Sequence, residues 1–312
     1  MYRWANGVDV KGLSTRLRVL CAAMLAVVLC AITATAGCTA VATAAPNMES
    51  LMVPSAAMGR DIPVAFMGGG PHAVYLLDAF NAAPDVSNWV TAGNAMNTLA
   101  GKGISVVAPA SGAYSMYTDW EQDRSRQWDT FLSSELPDWL ASNKGLAPGG
   151  HGVVGAAQGG YAAAALATFH PDRFRYAGSL SGVLAPERTS VDGAVRAALL
   201  SGGADSANMW GAPQFGRWKW HSPNAHVVRL VDQNTRLWVY APTGGSPADD
   251  GAVGGGGLAD IWQSTSRDFY AYYRAAGGNN GHFDLGGGGS NDWGAWSQQL
   301  GAMSGDLAAN IR

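Results

Sequence analysis

The sequence predicts one α/β domain in which a mostly parallel central sheet is flanked by helices. Three observations support this fold class. Short apolar runs rich in β-branched residues alternate with helical patterns, glycine clusters mark turns between them, and no repeat or composition break divides residues 45–312. Parallel strands need long crossover connections, and the alternating helical patterns can supply them. We therefore expect a single hydrophobic core around one sheet.

Seven segments have the length and composition of strands. They are residues 62–67, 73–78, 104–110, 152–155, 176–180, 236–240 and 282–285. Four longer segments have helical character, and they are residues 128–144, 162–170, 261–276 and 293–311. In the first of these, the apolar residues at 128, 131, 132, 136 and 140 fall on one helical face, which predicts a helix packed on the sheet.

The N-terminal segment is typical of a secretory signal peptide. Basic residues precede an almost wholly apolar stretch at 19–36, and Ala42-Thr43-Ala44 supplies the small-x-small pattern before the expected cleavage. The sequence thus predicts a signal peptide over residues 1–44 and an exported domain over 45–312, extracellular or associated with the cell wall. A retained membrane anchor and lipidation at Cys38 remain alternatives.

Charge and cysteine content narrow the partners of the exported domain. All three cysteines lie within residues 1–44, so the domain depends on its core rather than on disulfides. From residue 45 onward there are 16 basic and 22 acidic residues, a net charge of −6, which disfavours nucleic acid and anionic membranes as partners. The six histidines lack metal-ligand spacing, and the glycine clusters lack a phosphate-loop pattern, so we expect no metal and no cofactor.

The most informative motif is Gly155-Ala156-Ala157-Gln158-Gly159-Gly160. It follows an apolar strand and precedes an alanine-rich helix, the context in which a nucleophile elbow forms. The nucleophile position holds Ala157, whose methyl group cannot attack a carbonyl, and no Gly-x-Ser-x-Gly occurs elsewhere. The alternative interpretation is an ordinary tight corner between strand and helix.

A family resemblance extends over the whole exported domain. It is carried by residues 50–55, 74–78, 106–109, 128–137, 177–182, 234–240 and 299–303. Through these stretches the chain resembles the mycobacterial antigen 85 family of secreted mycolyltransferases, which are α/β-hydrolases. It is most similar to their smaller, 51-type secreted paralogue, which is not a mycolyltransferase. The resemblance implies an α/β-hydrolase fold.

Carried over residue by residue, the resemblance implies that the catalytic triad is lost. The nucleophilic serine of the family falls on Ala157, the glutamate on Ala259 and the histidine on Asn291. Asparagine does not shuttle protons near neutral pH, and alanine cannot orient an imidazole. We therefore expect a protein that is not an enzyme.

The resemblance also implies a candidate ligand cleft around these positions. Its residues are Asp78, Phe80, Asn81, Trp89, Gln158 and Trp293. Phe80 and Gln158 fall where backbone amides form the oxyanion hole of the family. The arginine that grips the sugar falls on Asn81, so any hold on a trehalose-like sugar should be weak.

Binding to fibronectin is the function that the resemblance favours, through a region that corresponds to residues 92–120. This function would attach the protein to host extracellular matrix, and small sugars are a further candidate ligand. One alternative is a residual acyl or mycolyltransferase, or an esterase acting on trehalose esters, which would need a nucleophile such as Ser179 or Ser181. Another is a structural or chaperone-like partner of active paralogues in the mycobacterial cell wall.

Overall fold

The computed structural model describes residues 47–243 and 257–311, without the side chains of residues 257–259. The predicted signal peptide, residues 1–44 including Cys38, lies outside the described residues. No helix in the described ranges is both long enough and apolar enough to cross a membrane.

An eight-stranded sheet forms the centre of the described chain. Its strands are β1 (Met48–Ser55), β2 (Arg60–Met67), β3 (Ala73–Leu77), β4 (Ser105–Pro109), β5 (His151–Ala156), β6 (Phe174–Leu180), β7 (Arg236–Tyr240) and β8 (Gly281–Asp284). The spatial order is β1-β2-β4-β3-β5-β6-β7-β8. The pairs β1–β2 and β2–β4 are antiparallel, and every other pair is parallel. The mostly parallel sheet expected from the sequence is confirmed.

Helices cover the sheet and connect its strands. They are α1 (Asn88–Thr91), α2 (Ala95–Leu99), α3 (Leu136–Lys144), α4 (Gln158–Phe169), α5 (Asp192–Ser201), α6 (Ala207–Trp210), α7 (Arg217–Trp220), α8 (Val227–Asp232), α9 (Gly257–Ala275) and α10 (Trp293–Asn310). A helical turn at Trp128–Thr130 and a π-helical segment at Phe131–Glu135 run directly into α3. The predicted helix over residues 128–144 is therefore present, and its five apolar positions are buried.

The sequence missed β1 and several short helices, and it placed two helix starts too late. β1 is an edge strand in which only Val53 and Ser55 are buried, so it lacks a continuous apolar run. The predicted helix omitted the four residues that begin α4, because the low helix propensity of Gly159 and Gly160 favours a turn there. The seven predicted strands are confirmed as β2–β8 with ends moved by at most two residues.

The core lies on both faces of the central strands. All residues of β3, β4 and β5 are buried, as expected for parallel strands that are covered on two sides. Because the carboxyl ends of parallel strands meet at one edge of the sheet, the loops after β3, β5 and β6 lie close together. Four of the residues that the resemblance assigned to the candidate cleft follow β3 or β5 at this edge, and they are Asp78, Phe80, Asn81 and Gln158.

Candidate functional site

The turn between β5 and α4 is sharply bent at Ala157. This residue has φ 50° and ψ −112°, a conformation that residues with a Cβ rarely adopt. Its N–H donates a hydrogen bond to the Leu180 carbonyl oxygen at 2.9 Å, which ties the turn to the end of β6. This is the backbone shape of a nucleophile elbow, with a methyl group at its apex.

Three glycines make the bend sterically possible. A Cβ on Gly155 would overlap the backbone of Gly159, and a Cβ on Gly159 would overlap the Leu77 carbonyl oxygen. A Cβ on Gly160 would lie 2.9 Å from the Leu180 carbonyl oxygen. Helix α4 thus starts in direct backbone contact with β3 and β6.

Asp78 lies directly after β3 and is completely buried beside this turn. Its Oδ1 accepts hydrogen bonds from the Ser87 hydroxyl at 2.8 Å and from the Trp89 N–H at 3.2 Å. Its Oδ2 has no hydrogen-bond partner among the described residues. Burial disfavours the charged carboxylate and raises the pKa of Asp78 to about 7, although the bonds from Ser87 and Trp89 oppose this shift.

A row of tryptophans extends from Asp78 toward α10. Trp89 donates its indole N–H to the Leu77 carbonyl oxygen at 2.8 Å and packs edge-to-face on Trp293, with ring centroids 5.2 Å apart. Trp293 makes the same kind of contact with Trp296, whose indole N–H bonds the Ser181 hydroxyl oxygen at 3.1 Å. Both tryptophans that the sequence assigned to the cleft therefore contact each other.

The Gln158 side chain organises the loops around the elbow. Its Oε1 accepts from the N–H groups of Ser115 and Met116 at 3.1 and 3.0 Å. Its Nε2 donates to the carbonyl oxygens of Ala79 and Gly112 at 2.9 and 2.8 Å. All hydrogen-bonding capacity of this buried amide is used. The sequence indicated only the backbone amide of Gln158, and no local signal could have shown side-chain partners so distant along the chain.

The candidate cleft is less open than the sequence suggested. Four of its six residues are buried to 1% exposure or less, and they are Asp78, Phe80, Trp89 and Gln158. Trp293 is 8% exposed, and Asn81 is the exposed member. The buried members therefore present no solvent-exposed face to a ligand, and among them the Asp78 Oδ2 atom has no hydrogen-bond partner in the described chain. As the first residue of α4, Gln158 still presents a backbone N–H that the helix itself cannot pair.

The structure describes only part of the three positions onto which the resemblance maps the family triad. Ala157 and Asn291 are both buried near the carboxyl edge of the sheet. Ala259 falls within α9, but its side chain lies outside the described residues.

Neither alternative serine has a histidine beside it. The Ser179 hydroxyl is buried without a hydrogen-bond partner in the described chain, and the Ser181 hydroxyl accepts from Trp296. His221 stacks on Trp210, with ring centroids 4.8 Å apart. Within the described ranges, no group of three or more His, Cys, Asp or Glu side chains could hold a metal ion.

The sheet order, the connecting helices and the strained turn after β5 together define an α/β-hydrolase fold. A family described as putative esterase matches residues 55–307. The chain is 64% identical over 305 residues to the MPT51 antigen of Mycobacterium leprae, covering 97% of this chain and 100% of that protein. It is 41% identical over 277 residues to the diacylglycerol acyltransferase/mycolyltransferase Ag85B of Mycolicibacterium smegmatis, covering 83% and 84% of the two chains.

A solved structure agrees with these relatives. The crystal structure of Mycobacterium tuberculosis MPT51 superimposes with a TM-score of 0.82 at 66% identity, over 85% of this chain and 99% of that chain. The chain therefore belongs to the antigen 85 family, together with the MPT51 antigens. The family membership that the sequence motifs indicated is confirmed.

Proposed function

We propose that this protein is a secreted binding protein that has lost acyl-transfer catalysis and attaches to the host matrix protein fibronectin. The observation that carries the proposal is the methyl group of Ala157 at the strained apex of the elbow. A nucleophile at that point is what the fold uses for covalent catalysis. The backbone of the site is retained while its reactive atom is absent.

The side chains at the other two mapped triad positions also support the loss of catalysis. Asn291 cannot exchange a proton near neutral pH, and the methyl side chain that the sequence gives residue 259 cannot orient a base. Because triad members act as a unit, restoring one of them regains little. We expect Ala157→Ser to show no measurable gain in hydrolysis of an acylated trehalose.

The alternative is residual acyl or mycolyl transfer, or esterase action on trehalose esters. Two observations favour this alternative. The relative Ag85B is named a diacylglycerol acyltransferase/mycolyltransferase, and the backbone at Ala157 keeps the shape of a nucleophile elbow. Turnover of acylated trehalose by the purified protein, measured beside Ag85B as the active control, decides between the two. Turnover above that of buffer would establish the alternative and contradict the proposed loss of catalysis.

Only part of residues 92–120, the region that we propose for fibronectin binding, is exposed. β4, in the middle of residues 92–120, is completely buried and cannot form a contact surface. The exposed part is made of Ala92, Asn94, Asn97 and the turn at 100–103. Lys102 in this turn is exposed, and its side chain makes no hydrogen bond or ion pair with the described residues. We propose this turn as the contact surface.

The test is equilibrium binding of the purified protein to immobilised fibronectin across a salt series, with Ag85B as the reference. Lys102→Glu should weaken binding about threefold or more, the size expected for an exposed charge contact. The matched control is Lys219→Glu, since Lys219 is also exposed without a partner in the described chain. Absence of binding where Ag85B binds, or equal loss in both variants, would contradict the proposal.

Export is part of the same proposal. Cleavage after residue 44 predicts that protein recovered from culture medium begins at Ala45. N-terminal sequencing and intact mass distinguish this outcome from lipidation at Cys38. Asp78 is completely buried, Trp293 is only 8% exposed and Asn81 is the exposed member of the candidate cleft, so we propose only weak binding of a small sugar there.

A further inference from the structure

A second cleft lies at the amino end of the sheet, at the opposite end of the strands from the elbow. Six steps along β6 separate its first and last residues, a distance of about 20 Å. The cleft has a volume of about 460 Å³. It is lined by Pro171, Phe174, Arg175, Gln233, Asn234, Thr235, Arg236, Asn280 and Asn310. The lining thus combines two guanidinium groups with four carboxamides and contains no carboxylate.

Three polar side chains of this cleft have no partner within the described chain. Arg175, Gln233 and Asn234 are exposed, and their side chains make no hydrogen bond or ion pair there. Arginine side chains usually find a carboxylate or a carbonyl group when one is near, because the guanidinium carries five N–H donors. The cleft therefore presents unused donors and acceptors from two separate elements.

Two backbone irregularities place these side chains at the cleft. Phe174 pairs with His151 and Tyr176 with Gly152, so Arg175 is an extra residue in β6 without a partner on β5. A bulge of this kind turns a side chain away from the regular alternation of the strand. Asn234, just before β7, has φ 53° in the left-handed region.

The other polar members of the cleft are held rigidly. Arg236 bonds the Asp306 carboxylate through Nε at 2.9 Å and the Asn280 Oδ1 through Nη1 at 3.3 Å. The Asn310 Nδ2 donates to the Asp306 carbonyl oxygen at 2.7 Å. Arg236 thus pairs with Asp306, whereas the Arg175 side chain makes no ion pair within the described chain. A positive charge and a fixed set of amides remain in a protein with an acidic overall balance.

We propose that this cleft binds a small anionic saccharide, with its oxyanion on Arg175 and its hydroxyl groups on the carboxamides of Gln233 and Asn234. A guanidinium binds carboxylate or phosphate oxygens through paired N–H groups. A carboxamide both donates and accepts, which matches the hydroxyl groups of a sugar. The ligand carries one negatively charged group, either a carboxylate or a phosphate. The proposed site does not depend on the elbow or on fibronectin binding.

The test is isothermal titration calorimetry of the purified protein with glucuronate and with glucose 6-phosphate. Neutral glucose and inorganic phosphate are the comparison ligands. Saturable binding of at least one anionic sugar is expected, tighter than that of glucose or phosphate. Arg175→Gln should weaken it about tenfold or more, the usual effect of removing a charge-assisted hydrogen bond. Asn234→Gly removes the amide but tolerates the left-handed backbone, and it should weaken binding about fivefold.

Arg196→Gln is the matched control, because Arg196 on α5 is also exposed without a partner in the described chain. It should leave binding unchanged, and all variants should keep the thermal unfolding midpoint of the parent protein. Equal binding of glucose would overturn the role of the oxyanion, and equal binding of inorganic phosphate would overturn the saccharide. Absence of binding, or unchanged affinity in Arg175→Gln, would overturn the proposal as a whole.

Discussion

The elbow after β5 and the cleft before β6 and β7 lie at opposite ends of the same strands, and their polar groups are used in opposite ways. Around the elbow, the Gln158 amide is saturated and the Ala157 N–H is paired. In the cleft, Arg175 and Asn234 occupy irregular backbone positions and make no side-chain bond to the described chain. At the elbow the polar groups are used internally, whereas in the cleft the backbone of Asn234 closes the end of α8 and its side chain is left without a partner in the described chain.

This comparison predicts its largest effect for Gly159→Ala. The added Cβ would overlap the Leu77 carbonyl oxygen, a backbone atom that cannot move without displacing β3. We expect the free energy of unfolding to fall by about 4 kcal/mol or more, as in severe overpacking. Urea unfolding followed by circular dichroism measures it.

The control for that experiment is Gly193→Ala on α5. A Cβ there has nothing within 4 Å, so the higher helix propensity of alanine should raise stability by up to about 1 kcal/mol. Equal, small effects in both variants would mean that the elbow backbone can relax.

The second prediction concerns pH and Asp78. Its pKa of about 7 in the folded protein exceeds the value of 3.8 for an unperturbed aspartate, so the folded state binds more protons between these limits. Stability contributed by the neutral carboxyl is therefore fully present below about pH 4 and falls as pH rises through 7, by about 4 kcal/mol in total. Asp78→Asn keeps an acceptor for Ser87 and Trp89 and should remove this decline.

Urea unfolding between pH 4 and pH 8 measures the decline in both proteins. Asp85→Asn, at an exposed site, is the matched control and should give a profile parallel to that of the parent. If the Asp78→Asn profile is also parallel, then the buried carboxyl does not titrate in this range.

The smallest predicted effect is a gain in stability from Ala157→Gly. With φ at 50°, the alanine is strained, and glycine adopts this conformation without a Cβ clash. We expect the free energy of unfolding to rise by about 1 kcal/mol. In the regular part of α4, Ala165→Gly should instead lower it by about 1 kcal/mol. A loss in both variants would show that the elbow is not strained.

Much of the fold could be predicted from the sequence because the patterns that indicate its strands and helices are local. β-branched apolar runs predicted seven strands, and the apolar positions of residues 128–144 predicted a buried helical face. β1 could not be predicted, because an edge strand buries few of its side chains and so lacks a continuous apolar run. The start of α4 was misplaced because the close contact of Gly159 with β3 outweighs the weak helix preference of glycine.

The sequence by itself determined the elbow, because Gly155, Ala157 and Gly159 lie within one short motif and their residue types limit both backbone and chemistry. It also determined the membership of the antigen 85 family, through motifs spread over the whole domain. Only the tertiary structure decided that Asp78 and Trp89 are buried and that Arg175 has no partner in the described chain. Burial and hydrogen-bond partners depend on neighbours from distant parts of the chain, and local sequence carries no record of them.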